Sequence, residues 1–407
     1  MDKNSITGLL LITAILAIFW WTNKPSDEEI EARKRQLDSI NRVEQQQQAK
    51  EAKETADAAT EAPTETETRR EETPEEKAIS NEAAGILAPY LDGEQEFITL
   101  ENENIKVTLT NKGGRVYSVE VKNYETHDGQ PLILFEGEEN RFGFNFTYNT
   151  QIFNTNELYF DVVREGDHAV TFEITGPNRE RLAFSYNLPE NDYMLDHKID
   201  SRNLGNKFST PRNALDIEWY QKMPTQEQGR KFEQQYSGLY YKYFQDEVDD
   251  ISGTGSSEED IRTPLKWIAF KDQFFASVLI AQDRMSSAYL ETSVEEDENS
   301  PYLRYNTAEI TVPFEFTQND EAAFSFYFGP THYYSLRSYE GLALQEMLPL
   351  GWGIFGWINK YAIIPVFNFL EGFISNYGIL ILILTLLIKM ILFPLTYKSY
   401  MLCLIHI

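Results

Sequence analysis

The chain has 407 residues, of which 42% are hydrophobic and 25% charged, enough apolar content for one large or two modest folded domains. Sixty-four Asp and Glu against 36 Lys and Arg give a formal charge of -28. Such a surface repels phosphate backbones and excludes nucleic acid as a partner. The single cysteine, Cys403, excludes an intrachain disulfide and a cysteine-based zinc site.

Residues 4–23 carry no charge. At about 1.5 Å per residue they reach roughly 30 Å, the thickness of a bilayer core. Trp20 and Trp21 stand at the end of the run, where an aromatic belt belongs. Bulky Phe19, Trp20 and Trp21 occupy the place of the small-residue site that signal cleavage needs. Residues 1–25 are therefore expected to be an uncleaved transmembrane anchor. Residues 26–80 contain 16 acidic and 9 basic residues, no aromatic and no glycine. With so little to bury, residues 26–86 are expected to be a disordered or helical acidic tether. A short coiled coil through Ile30, Leu37 and Ile40 is the weaker reading.

Residues 87–337 read as a folded, mostly β body. Ile105 to Leu109 alternates apolar and polar side chains, and Val116 to Val121 repeats the pattern after a Gly113-Gly114 turn. Similar runs are Phe142 to Tyr148, Ala169 to Ile174, Leu182 to Tyr186, Trp267 to Phe270, Phe274 to Ile280, Ile310 to Phe316 and Phe324 to Phe328. Many strands with few helical intervals predict a large all-β sandwich. Asp246 to Asp260 reads as a mobile acidic loop. Its Asp249-Asp250 and Glu258-Glu259-Asp260 clusters lack the spacing of a known calcium loop. No metal site and no cofactor site is expected; Gly253-Thr254-Gly255 has no Gly-Lys-Ser/Thr downstream.

Residues 338–375 are connecting and interfacial in character. Trp352, Phe355, Trp357, Tyr361, Phe367 and Phe369 surround Lys360, and glycines and prolines keep the uncharged runs too short to span. An aromatic helix lying in the membrane interface is predicted. Residues 376–400 are expected to be a transmembrane helix. From Tyr377 to Tyr397 there are 13 Leu, Ile or Phe and one charge, Lys389. The apolar residues favour insertion by about 0.3–0.6 kcal/mol each, against about 2.5–3.5 kcal/mol for a central lysine. The lysine is tolerated and costly. Two reasons stand level on the residues alone: snorkelling towards headgroups, or facing a wet cavity that offers an anionic group. Pro394 either disturbs the helix or simply ends it.

Tyr377 to Lys389, followed by Phe393-Pro394-Leu395-Thr396-Tyr397-Lys398-Ser399, resembles the first core helix of the YidC/Oxa/Alb membrane protein insertases. Gly351 to Tyr361 is similar to that family's interfacial helix. Trp267 to Phe275 and Tyr327-Phe328-Gly329-Pro330 resemble motifs in the periplasmic domain of the YidC branch. The order of parts also agrees: anchor, tether, β domain, interfacial helix, charged span. The resemblance implies a non-enzymatic insertase and chaperone of the bacterial inner membrane, multi-pass, with its large domain in the periplasm. Its partners would be nascent integral membrane proteins, the lipid bilayer, the Sec translocon and the ribosome. It implies a mutarotase-like β supersandwich for the domain, and a helical core with a hydrophilic groove. A basic residue at the position of Lys389 would face that groove and attract acidic client segments. Lysine in place of arginine favours a point charge over a bidentate fork.

The family pattern continues into further spans, whereas this sequence passes through an atypical tail, residues 401–407. The chain thus reads as the N-terminal part of an insertase and is expected not to insert clients alone, which reconstitution would check. Cys403 and His406 are too isolated to ligate a metal. Two other function classes compete. One is a membrane-anchored periplasmic scaffold that binds partners. The other is a carbohydrate-active enzyme, for which His127, His168, His197 and His332 show no recognisable pairing with an acid.

Overall fold

A computed structural model describes residues 84–251, 255–318, 320–374 and 376–405. The expected anchor, nearly all of the tether, and His406 lie outside the described residues. The described chain falls into two units, 84–349 and 350–405.

The first unit is built from three antiparallel sheets. Nine strands form the largest, in the order Val248–Asp250, Gly238–Tyr243, Leu265–Lys271, Phe275–Met285, Glu321–Pro330, Met194–Arg202, Arg181–Asn187, Ala169–Thr175 and Asp161–Arg164. A seven-stranded sheet runs Phe208–Ser209, Arg141–Tyr148, Ala214–Pro224, Tyr302–Pro313, Ser287–Val294 and Ser257–Ile261, with Gln151–Asn154 paired to Arg141–Tyr148. A four-stranded meander comprises Phe97–Glu101, Ile105–Thr110, Arg115–Glu125 and Pro131–Glu136.

Alternation places one face of each strand in a common core. Along Ala214–Pro224 buried and less buried residues alternate, so Ile217, Trp219 and Met223 point the same way. Trp219 stacks on Phe270 of the nine-stranded sheet at 3.9 Å, and Phe142 meets Phe326 edge-on at 5.2 Å. These contacts close the sandwich between the two large sheets.

The outer face of the nine-stranded sheet is covered as well. After Pro330 the chain makes helix α2, Tyr333–Ser338 (α1, Arg230–Tyr236, precedes it), and a 3-10 turn, Leu344–Met347. Leu336, Leu344 and Met347 pack there with Trp267, Ala269, Val278 and Tyr327. A strand buried on both faces reads as a continuous apolar run rather than an alternating one. That is why Trp267-Ile268-Ala269-Phe270 has no polar gaps. Gly329 is fixed by contact: a Cβ there would fall 2.6 Å from the Tyr193 ring.

Every predicted strand window falls on a strand, with two trimmed ends. Phe274 lies in the turn before Phe275–Met285, and the strand through Ile310 stops at Pro313, since proline cannot continue a ladder. Phe314 and Phe316 are off the strand yet buried. The acidic segment Asp246 to Asp260 is corrected: it contributes Val248–Asp250 and Ser257–Ile261, both edge strands. An edge keeps one side of each strand in water, so charges are compatible with pairing there. Its carboxylates have partners: Tyr289 Oη donates to Glu258 at 2.6 Å, Tyr241 Oη to Glu259 at 3.1 Å, and Arg262 pairs with Asp260 at 2.9 Å.

Candidate functional site: an apolar helix with one lysine

The second unit begins with a glycine turn. Gly351 and Gly353 have φ of 89° and 58°. Gly356 lies against the Gly351 carbonyl so closely that a Cβ would come within 2.2 Å. Asn359 Nδ2 then donates to the Leu350 carbonyl at 2.8 Å and fastens the turn. Helix α3, Gly353–Ile358, passes through a π turn, Asn359–Ile363, into α4, Ile364–Glu371. Pro365 explains the π turn. It has no N–H for the residue 361 carbonyl, and a wider turn absorbs the mismatch. Trp352, Phe355, Trp357, Tyr361, Phe369 and Phe373 are exposed, Trp352 to 85%. An aromatic surface of this extent marks contact with a membrane or a partner.

Asn376 starts the next helix, its side-chain Oδ1 accepting from the Ile379 amide at 3.2 Å. Helix α5 runs Tyr377–Ile405, with Pro394 inside it. The helix therefore does not end at the proline, which corrects the terminus reading. Eighteen residues, Tyr377–Pro394, have a mean hydropathy of 2.3, long and apolar enough to cross a membrane. Lys389 is exposed on this helix. Thr385, one turn earlier on the same face, turns its hydroxyl to the Ile381 carbonyl at 2.8 Å. Apolar side chains flank Lys389: Leu382, Leu386, Leu392 and Phe393 are exposed beside it. The arrangement offers one cation in an apolar field, attractive to an anion that is itself leaving water.

The histidines are not brought into one site. His127 Nδ1 lies 3.1 Å from the Gln226 carbonyl, and His332 Nδ1 3.2 Å from Ser335 Oγ. His168 Nδ1 is buried with no partner. His197 is sealed among Phe142, Phe184, Tyr186 and Phe324, stacked on Tyr186 at 4.3 Å. Burial pushes its imidazole down to about 3, so it is a neutral core residue. Among the described residues no three His, Cys, Asp or Glu side chains are grouped to hold a metal ion.

A histidine depressed when folded contributes stability that is complete above its ordinary value, about 6.5, and is lost as pH falls towards 3. On going from pH 7 to pH 5, His197 should cost the β unit about 2 kcal/mol, at 1.36 kcal/mol per unit. His197→Phe should remove this contribution, read as the difference between variant and wild type in urea unfolding at each pH, because the buried carboxyls Glu233 and Asp272 respond to pH in the opposite sense.

Sequence reasoning missed a buried charged cluster beneath α1. Glu233, Lys271, Asp272 and Arg304 are each 5% exposed or less. The only hint was that Lys271 and Asp272 interrupt an apolar motif.

A family profile described as the YidC periplasmic domain matches residues 97–364. The chain belongs to the YidC family. It is 37% identical over 412 residues to the membrane protein insertase YidC of Parabacteroides distasonis, covering 98% of this chain and 64% of that protein. The relative of the same name from Bacteroides fragilis is 36% identical over 406 residues, covering 98% and 63%. The chain thus spans a little under two thirds of the length of these curated relatives. Among solved structures, YidC from Thermotoga maritima is similar at 12% identity and a TM-score of 0.32, covering 76% of this chain and 71% of that one. A galactose mutarotase-like protein from Lactobacillus casei is similar at 12% identity and a TM-score of 0.37, covering 57% of this chain and all of that one. YidC homologues are inner-membrane proteins with a periplasmic domain, and the family profile covers most of the β unit and the first residues of the second unit, to residue 364.

Proposed function

We propose that this chain is part of a membrane protein insertase that helps newly made integral membrane proteins enter and fold in the bacterial inner membrane, with or beside the Sec translocon and the ribosome. Residues 1–25 anchor it, 26–86 tether the β domain, 87–337 form the periplasmic sandwich, 338–375 connect it and lie in the interface, and 376–400 are the first span of a helical core. The observation that carries this reading is α5: a helix apolar for the width of a bilayer, exposed, and interrupted by one lysine. Lys389 faces a hydrophilic groove in the completed core and acts as a point charge that draws acidic client segments. The client's own partitioning into lipid drives release.

A photo-crosslinker at position 389, tested against one on the β domain during synthesis of a single-span client, examines this reading. Labelling of the nascent chain from 389 supports it. Labelling confined to the β domain would favour a periplasmic scaffold instead.

A further inference from the structure

Helix α1 links Ala214–Pro224 of the seven-stranded sheet to Gly238–Tyr243 of the nine-stranded sheet and is tied to both sheets. From the nine-stranded sheet, Lys271 Nζ donates to the Tyr236 carbonyl at 2.8 Å and to its neighbour's carbonyl, Asp272 O, at 3.1 Å. From the seven-stranded sheet, Arg304 donates to Ser237 Oγ at 2.9 Å, Thr292 Oγ1 at 3.1 Å and the Gln234 carbonyl at 3.4 Å. Both cations thus serve the carbonyl end of the helix, where positive charge is favoured. On the helix, Arg230 holds the chain entering the strand Tyr302–Pro313 through the carbonyls of Ser300 at 2.8 Å and Tyr302 at 2.6 Å.

The acids are arranged differently. Glu233 Oε1 reaches back to the amides of Gln226, at 2.7 Å, and Glu227, at 3.1 Å. Its Oε2 has no donor. Asp272 sits within hydrogen-bond reach of Glu233. The nearby Gln273 amide pulls Asp272 down, but no donor meets either Asp272 oxygen in hydrogen-bond geometry. Two buried carboxyls in contact, with three oxygens lacking donors, are not both stable as anions. A proton between them turns the contact into a hydrogen bond.

We propose that Glu233 and Asp272 form a buried proton-binding site that latches α1 to the sandwich, and that losing the proton frees the helix. The charged groups around the pair act both ways. Glu227 repels Glu233, while Lys271 and Arg304 attract Asp272, and Asp250 draws on Lys271. Burial and mutual repulsion outweigh the attraction and raise Asp272 well above the ordinary carboxylate range. An acid raised in the fold binds a proton that the unfolded chain has released. Its contribution is complete in acid and is lost as pH climbs above the ordinary value of about 4. His197, pushed down to about 3 by burial, stays neutral in the fold above pH 6.5, whereas Lys271, pushed down to about 8, begins to lose its proton as pH approaches 8. Asp272→Asn keeps His197 and Lys271 in place, so its difference from the wild type isolates the acid pair.

The test is hydrogen exchange on the full chain in detergent micelles, corrected for intrinsic rates. Protection of amides 230–237 should fall as pH rises from 6.5 to 8, by up to about tenfold per pH unit, the limit set by one released proton. In Asp272→Asn the amide supplies the missing hydrogen, and protection should hold level across the window. Equal slopes in the two proteins would overturn the proposal. A second reading does not depend on the variant's stability. Infrared spectra at pH 7 should contain the carbonyl stretch of a protonated carboxyl, and its absence in the wild type would also overturn it. Restored protection at pH 8 on adding calcium or sodium would assign the site to a metal ion and not to a proton.

Discussion

In a form of the protein with the full length of its relatives, Lys389→Leu is expected to slow delivery of clients with acidic leading segments by at least about tenfold, the factor set by 1.4 kcal/mol of lost ion pairing. The expectation rests on the setting of the lysine. In water a unit charge pair at 4 Å gains only about 1 kcal/mol, but near a desolvated surface about 4 kcal/mol. The exposed side chains flanking Lys389 include Leu382, Leu386, Leu392 and Phe393, and Thr385 turns its hydroxyl back to the Ile381 carbonyl, so this helix offers few polar groups to hold water against an arriving anion. Lys389→Arg should retain delivery, because charge and not geometry is required of a point charge. Clients with neutral leading segments should be indifferent to both changes. Reconstituted insertion with paired acidic and neutral clients separates these outcomes. If the acidic client is delivered as well by the leucine variant, Lys389 merely snorkels.

The lysine was visible in the sequence because its surroundings are linear. One charge in 21 residues of apolar helix needs no tertiary information to stand out. The strands Ile105–Thr110 and Arg115–Glu125 were visible for a similar reason, since alternation is a local signal of a face turned inward. Met194–Arg202 was not. Its sequence looks polar, yet it lies next to the middle of the nine-stranded sheet. Asp200 is met by Arg181 at 2.8 Å, and His197 is enclosed by aromatic rings contributed from far along the chain. Partners at long sequence separation turn a polar residue into a core residue, and no window reveals them. The same holds for Glu233, Asp272 and Arg304, which come from three separate stretches and read singly as surface charges. Ser257–Ile261 was hidden by the opposite effect. Its acidic run is that of a loop, but backbone pairing with Ser287–Val294 does not depend on side chains.

Trp267→Ala should destabilise the β unit by about 3–5 kcal/mol, the usual cost of removing a large buried aromatic residue. The indole is fully buried on the outer face of the nine-stranded sheet. There it contacts the cluster that includes Leu336, Leu344 and Met347, all from the segment after Pro330. Its Nε1 also donates to the Leu342 carbonyl at 2.7 Å, across 75 residues. One side chain therefore both fills the space under that segment and fixes its backbone. Trp267→Phe separates the two roles. It keeps most of the apolar contact and leaves the Leu342 carbonyl unpaired, for which about 1–3 kcal/mol is expected. Urea unfolding of both variants gives the comparison. A loss below about 1 kcal/mol for the alanine variant would mean that the segment from Tyr333 to Met347 does not hold its place on the sheet through this residue. Hydrogen exchange confined to that segment should rise in the alanine variant before the sandwich itself opens, because its apolar contacts converge on the indole and the two large sheets pack on their other faces.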